Sequence, residues 1–257
     1  MELIFVALGL AIGLLAGLLG IGGGLLAVPA TYVVLIWYGF DGNVMHLAIA
    51  TSLAVTTVTS LASTLAHHQA RHIQFTALGF LMPGLAIGSI SGAHLAHLLS
   101  AHFLSLIFGN IAILLGFYFF FHRLPLPHFG HKPNLTLALF GLVIGHLSSL
   151  LGIGGGTFTF PVLLGYPFSA TAIAATSSAA TFFTALIGTI MFLIIPSPSH
   201  AETYGSIYLP AFLSMAIPSL LTAPIGVYLA RKVHIDILKR IFACIVILIG
   251  ASMIWLG

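Results

Sequence analysis

The residues of this 257-residue chain that could do chemistry are almost all uncharged. Gly20-Ile-Gly-Gly-Gly24 and Gly152-Ile-Gly-Gly-Gly156 each follow Leu-Leu and are followed by a proline, Pro29 and Pro161, at one constant offset of 132 residues. Apolar sequence flanks both runs, so each reads as a tip where one helix stops and another starts. A helix start presents unpaired N–H groups and about half a positive charge. Glycine lets a ligand come close to that backbone, which makes an anion site. Gly22, Gly23, Gly24, Gly154, Gly155 and Gly156 are therefore candidate anion-binding residues. The plainer reading, a tight turn with close packing, suits one glycine run better than two repeat-related ones.

The stretch after each tip adds hydroxyls. Ser52, Thr56, Thr59 and Ser63 lie on one helical face, and at an offset of 125 their counterparts are Ser177, Thr181, Thr184 and Gly188. Most of each face reads as small residues that let helices pack. Thr51, Ser52, Thr176 and Ser177 lie nearer the level expected for the tips and are candidate ligand contacts. Gly9, Gly13, Gly17 and Gly84, Gly88, Gly92 form small-residue ladders and are assigned to packing alone.

Thirteen histidines accompany only four acids. Most sit at span ends or in loops: His67, His68, His72, His122, His128, His131 and His200. They lack metal-ligand spacing with acidic or sulfur partners, so no metal site is expected. His146 lies inside an apolar block, where an ionisable group is a candidate for proton coupling. Its repeat mate is Leu14. The acids Glu2, Asp41, Glu202 and Asp236 are all near span ends, so no buried carboxylate dyad can form and no catalytic residue is assigned. No Walker-type phosphate loop appears, and no cofactor is expected.

The elements that must position these residues follow from composition. Hydrophobic residues make up 60% of the chain and charged ones 4%. Soluble domains carry about a quarter charged residues, and a bilayer crossing takes about 20 apolar residues. The chain is an all-α polytopic membrane protein. It has no basic face for nucleic acid, and its one cysteine, Cys244, excludes a disulfide framework. The start lacks the positive n-region of a cleaved signal. Four apolar blocks (roughly 3–38, 44–66, 74–97 and 102–121) precede a polar joint, and four more follow (roughly 135–165, 169–195, 207–230 and 237–256). The expected organisation is a first membrane repeat at 1–121, a cytoplasmic linker at 122–134 and a second repeat at 135–257. Duplication is a common plan for transporters, with the substrate held between repeats.

Charge decides how the repeats are related. If each first block crossed once, Arg71, Arg123 and Lys132 would oppose Arg231, Lys232, Lys239 and Arg240 across the membrane. If each is a re-entrant hairpin bent at its glycines, all seven share one side, and Glu2, Asp41 and Glu202 share the other. The second arrangement obeys the positive-inside rule. It predicts two inverted repeats, each with a Gly-tipped broken hairpin plus about three further spans, and both termini extracytoplasmic.

The paired Gly-Ile-Gly-Gly-Gly…Pro motifs, with Thr-Ser opening the next span, resemble those of the sulfite exporter TauE/SafE family, also called the 4-toluene sulfonate uptake permeases. The resemblance covers 1–257 in length, span count and duplication. It implies a prokaryotic inner-membrane carrier of small sulfur-containing anions, with Gly22 to Gly24 and Gly154 to Gly156 as substrate loops. This chain departs from many relatives in its histidine-rich loops. It also has Thr157-Phe-Thr-Phe160 where its first half has Leu25-Leu-Ala-Val28, which adds Thr157 to the candidate contacts. The expected function is secondary transport of sulfite or an organosulfonate by alternating access, with a small-molecule anion and the lipid bilayer as partners. An anion channel, or a carrier of another small organic anion such as a carboxylate, is the alternative. An intramembrane enzyme is a more distant one.

Overall fold

A computed structural model describes residues 1–19, 22–121, 133–195, 202–230 and 235–256, with backbone alone at 19, 235–239 and 256. Gly20, nearly all of the 122–134 linker, Arg123, Lys132, Arg231, Lys232, His122, His128, His131 and His200 lie outside the described residues.

The described residues form ten helices: α1 (Glu2–Leu19), α2 (Gly24–Trp37), α3 (Val44–Gln69), α4 (Phe75–Leu98), α5 (Ala101–Phe121), α6 (Thr136–Leu151), α7 (Gly156–Leu164), α8 (Ala170–Ile194), α9 (Leu209–Leu229) and α10 (Ile235–Leu256). Five of them, α3, α4, α5, α8 and α9, are long and apolar enough to cross a bilayer alone. A two-residue hairpin, β1 (Thr203–Tyr204) and β2 (Ile207–Tyr208), leads into α9. The chain is an all-α polytopic membrane protein.

Both first blocks break at their glycines. Gly22 has φ +72°, Gly152 +73° and Gly154 +80°. This left-handed backbone cannot continue a right-handed helix and is easily reached only by glycine. The arms that follow, 14 residues in α2 and 9 in α7, extend roughly 21 and 14 Å at 1.5 Å per residue, short of a full crossing. The first block also leaves at the end where it enters. The Tyr208 hydroxyl lies 3.4 Å from the sulfur of Met1, where α1 begins, and its ring meets Phe40, just after α2, at 5.3 Å.

Helix directions follow from which residues meet. Gly9, Gly13 and Gly17 of α1 face Met215, Ser219 and Ala223 of α9, so those two helices are parallel. Gly84, Gly88 and Gly92 of α4 face Ala138, Leu142 and His146 of α6 in the same parallel sense. Thr57 pairs with Thr189 and Ser63 with Ser178, each at 3.2 Å, so α3 and α8 are antiparallel. Helices α5 and α10 are antiparallel too, since Gly109 faces Gly250 and Gly116 faces Ala243. The ladders serve packing: a Cβ on Gly17 or Gly88 would overlap a carbonyl oxygen of the facing helix. In lipid no hydrophobic force drives helices together, and close backbone approach supplies the van der Waals contact that does.

The exposed acids and the described bases occupy opposite ends. Arg71 follows α3 and Arg240 lies near the start of α10, whereas Glu2 opens α1, Asp41 precedes α3 and Glu202 precedes α9. Burial, then the nearby Glu202 and Glu2 carboxylates, push the Tyr208 hydroxyl above the ordinary tyrosine value. The basic end and the acidic end are named accordingly below.

Candidate functional site

The site is built on the antiparallel pair α3 and α8, whose middles carry Thr56 and Thr181. Thr56 sits half-way along the 26-residue α3 and Thr181 half-way along the 25-residue α8. Their repeat offset is 125. Along both faces, threonine hydroxyls mostly bond back to the carbonyl four residues earlier: Thr59 to Val55 at 2.9 Å, Thr181 to Ser177 at 2.8 Å and Thr184 to Ala180 at 2.7 Å. Such back-bonding occupies the hydroxyl's donor and suits the packing role expected of these faces.

The two glycine tips meet at this crossing. A Cβ built on Gly22 would lie 2.7 Å from the Thr181 methyl and 3.4 Å from the Thr56 methyl. A Cβ on Gly154 would lie 2.9 Å from each of the same two methyls. Residues 132 apart in sequence therefore press on one pair of threonines from two broken helical segments. The tips also touch directly. The Ser52 hydroxyl donates to the Gly152 carbonyl at 2.9 Å and lies 3.4 Å from the Gly24 carbonyl. A Cβ on Gly24 would meet the Gly152 and Ile153 carbonyls, the latter's carbon at 2.5 Å. Gly155 packs on Thr184, where a Cβ would lie 2.7 Å from the hydroxyl oxygen.

The electrostatics of this junction come from backbone. Helix α2 starts behind Gly23 and α7 behind Gly155, and neither start is capped by a side chain. Two positive helix ends thus converge at mid-depth, where the polarity of unpaired N–H groups is screened least. Gly22 to Gly24 and Gly152 to Thr157 are all buried. Access to them from either side requires helices to move.

The other expected contacts divide. Ser52 belongs to the junction. Ser177 is fully buried, and its hydroxyl has no partner among the described residues, as is true of Thr56. A buried polar group without a partner is uncommon and calls for a cause. Thr157 lies buried in the first turn of α7. Thr51 and Thr176 are committed elsewhere. The Thr51 oxygen accepts the Tyr208 N–H at 3.0 Å, directly before α9, and the Thr176 oxygen accepts the Gln74 N–H at 3.0 Å, directly before α4. Each anchors the start of a helix that the sequence places in a corresponding position of its half. His146 is not at the junction: its Nδ1 pairs with the Ser91 hydroxyl at 2.9 Å on the exposed edge of the α4–α6 seam.

Thr56 and Thr181 lie on faces that sequence reasoning assigns mostly to packing. The signal that could have found them is their coincidence of repeat relation and mid-helix position. Thr51→Val and Thr176→Val are each expected to cost about 1–3 kcal/mol by orphaning a backbone N–H. Thermal unfolding in detergent should show a lower Tm for both, with unchanged affinity for any anion held at the glycine tips. Weakened anion binding at unchanged Tm would instead make them ligand contacts.

Comparison with known proteins agrees in kind. The family described as Sulfite exporter TauE/SafE matches residues 5–253. A probable membrane transporter protein of Methanocaldococcus jannaschii is 26% identical over 98% of this chain and 94% of its own length. One of Haemophilus influenzae is 28% identical over 98% and 97%. YunE of Bacillus subtilis, also named a probable membrane transporter protein, is 25% identical over 99% and 97%. No solved structure matches.

Proposed function

The chain belongs to the sulfite exporter TauE/SafE family and is a multi-pass membrane transporter, not an enzyme, and from that premise we propose that it carries a small sulfur oxyanion, sulfite or an organosulfonate, across a prokaryotic inner membrane by alternating access. One observation carries this reading: Gly22 and Gly154, from two separate broken helices, converge on Thr56 and Thr181 half-way along α3 and α8. An oxyanion placed there is held by the uncapped N–H groups of Gly22, Gly23, Gly24, Gly154, Gly155 and Gly156. Hydroxyls of Thr56, Thr157 and Ser177 complete its hydrogen bonds. No buried lysine or arginine is needed, because helix ends and oriented amides supply the positive potential.

Alternating access needs two halves that can exchange roles. Repeats at 1–121 and 135–257, inverted with respect to each other, meet that need. Supporting this are the antiparallel pairings of α3 with α8 and α5 with α10, which are unlike those of two halves with the same orientation. The basic end is assigned to the cytoplasm by the positive-inside rule, which places both termini outside. The parallel glycine seams, α1 on α9 and α4 on α6, then join each hairpin arm to the opposite half.

The decisive measurement is radiolabelled sulfite flux in proteoliposomes of the full chain. Saturable uptake with counterflow, competed by sulfonates more strongly than by carboxylates, is the expected result. Large single-channel currents would make the protein a channel. No flux and no thermal stabilisation by any oxyanion would remove the reading.

A further inference from the structure

A small cavity of about 50 Å³ lies between the basic end and the first glycine tip, outside the junction itself. Gly17 and Leu18 from the last turn of α1 form its inner wall, and Thr171 and Ala174 from the first turns of α8 form another. Val227 and Ala230, at the end of α9, close a third side, and His67, near the end of α3, and His72, in the turn that follows, face it as well. Their ring centroids are 6.5 Å apart with planes inclined at 59°, and both rings border the same cavity. His67 is only 5% exposed.

The cavity leads toward the junction. Ala174 and Thr181 lie seven residues apart on α8, about 10 Å along the helix, and Gly22 presses on Thr181. The charge around it is favourable to anions. Among the described residues no acid lines it, the first turn of the 25-residue α8 opens onto it, and Arg71 stands in the same turn as His72. At the acidic end the corresponding place is filled. Offset by 125 from Thr171 stands His46, buried, with Nε2 at 3.0 Å from the Ala96 carbonyl and 3.1 Å from that of Leu99. Among the described residues, His46 is thus buried and bonded at one end, and a hollow stands beside His67 and His72 at the other.

We infer that His67 and His72 form a second anion site, which receives the transported oxyanion from the basic side before it reaches the glycine tips. This rests on the transport reading above. A neutral imidazole brings one N–H donor and a protonated one brings two together with a charge, so two rings match an ion with several acceptor oxygens. A cavity this small takes an oxyanion of a few heavy atoms. It identifies the preferred cargo as an inorganic anion of sulfite's size, rather than an aromatic sulfonate.

The test uses the full chain in proteoliposomes, with sulfite as the probe. The His67→Leu/His72→Leu double variant is expected to raise the sulfite KM about tenfold with turnover near that of wild type, as loss of two ring N–H donors should. His72→Arg in the wild-type background, which keeps N–H donors at that place, is expected to bind sulfite at least as tightly as wild type. In wild type, sulfite should also slow carbethoxylation of His72 by diethyl pyrocarbonate. An unchanged KM in the double variant overturns the second site. If the double variant does not fold, an unchanged KM in His72→Leu alone, a change in a surface turn, overturns it equally. Wild-type protein that moves no sulfite would instead defeat the transport reading, and a wild type that moves sulfite with no histidine effect would leave that reading standing.

Discussion

Gly22→Ala and Gly154→Ala are each expected to abolish sulfite flux, by roughly 100-fold or more, in protein that still folds. Two costs combine at each position. A non-glycine residue in the left-handed region costs about 1–2 kcal/mol, and Gly22 and Gly154 sit there with φ +72° and +80°. The added methyl also meets Thr181 at 2.7 Å from Gly22, and Thr181 and Thr56 at 2.9 Å from Gly154. The tip must move away from the crossing, and a binding geometry shifted by about 1 Å loses on the order of 100-fold in rate. The rescue is specific. Thr181→Ser removes the methyl that the new Cβ would strike and keeps the hydroxyl, so Gly22→Ala/Thr181→Ser should regain part of the flux. Counterflow assays on size-excluded, monodisperse protein check this. Wild-type flux and KM in Gly22→Ala would end the claim that the tips hold the substrate.

The second large effect concerns folding. Gly17→Val and Gly88→Val are expected to leave little or no monodisperse protein. A Cβ on Gly17 overlaps the Ala223 carbonyl oxygen and lies 2.9 Å from the Val227 nitrogen, and one on Gly88 overlaps the Leu142 carbonyl oxygen and lies 2.8 Å from the His146 nitrogen. These neighbours are backbone and cannot rotate aside, so the helix axes must part along the whole seam. Overpacking of this kind costs about 1–3 kcal/mol even where side chains can adjust, and here dispersion contact is the principal force lost. Gly79 is the control. It lies on α4, a turn before the seam glycines, and a Cβ there meets nothing within 4 Å. Gly79→Ala should be neutral or stabilise by up to about 1 kcal/mol through helix propensity. Equal damage from Gly79→Ala and Gly88→Val would show that the seam argument is wrong.

Much of this architecture is legible in the sequence. The 36-residue first block, with glycines at 20 and 22 to 24, is too long for one crossing, and the arm after its glycines is too short for a second, and the structure breaks it there. The ladders Gly9/Gly13/Gly17 and Gly84/Gly88/Gly92 read as packing surfaces, and each lies against a backbone. Individual side chains are harder to place. Thr51 and Thr176 share their sequence setting with Ser52 and Ser177, yet a one-residue step turns a side chain by about 100° around the helix. That step aims Ser52 at the Gly152 carbonyl and Thr51 at the amide before α9. His146 is inside a span by position, but the face it shares with Ser91 turns it to the edge of a seam.

Eleven formal charges in 257 residues are enough to establish that the solvent is lipid. The placement of the seven basic ones favours hairpins over simple crossings, and the repeated glycine runs mark where two apolar blocks break. Each of these inferences concerns one segment and the bilayer around it, so segment composition suffices. The meeting of the two tips over Thr56 and Thr181, the service of Thr51 and Thr176 as anchors, and the hollow beside His67 and His72 come from the folded arrangement alone. They depend on which helix faces approach one another across more than a hundred residues of chain. A glycine states that something comes close, and only the packed molecule says what it is.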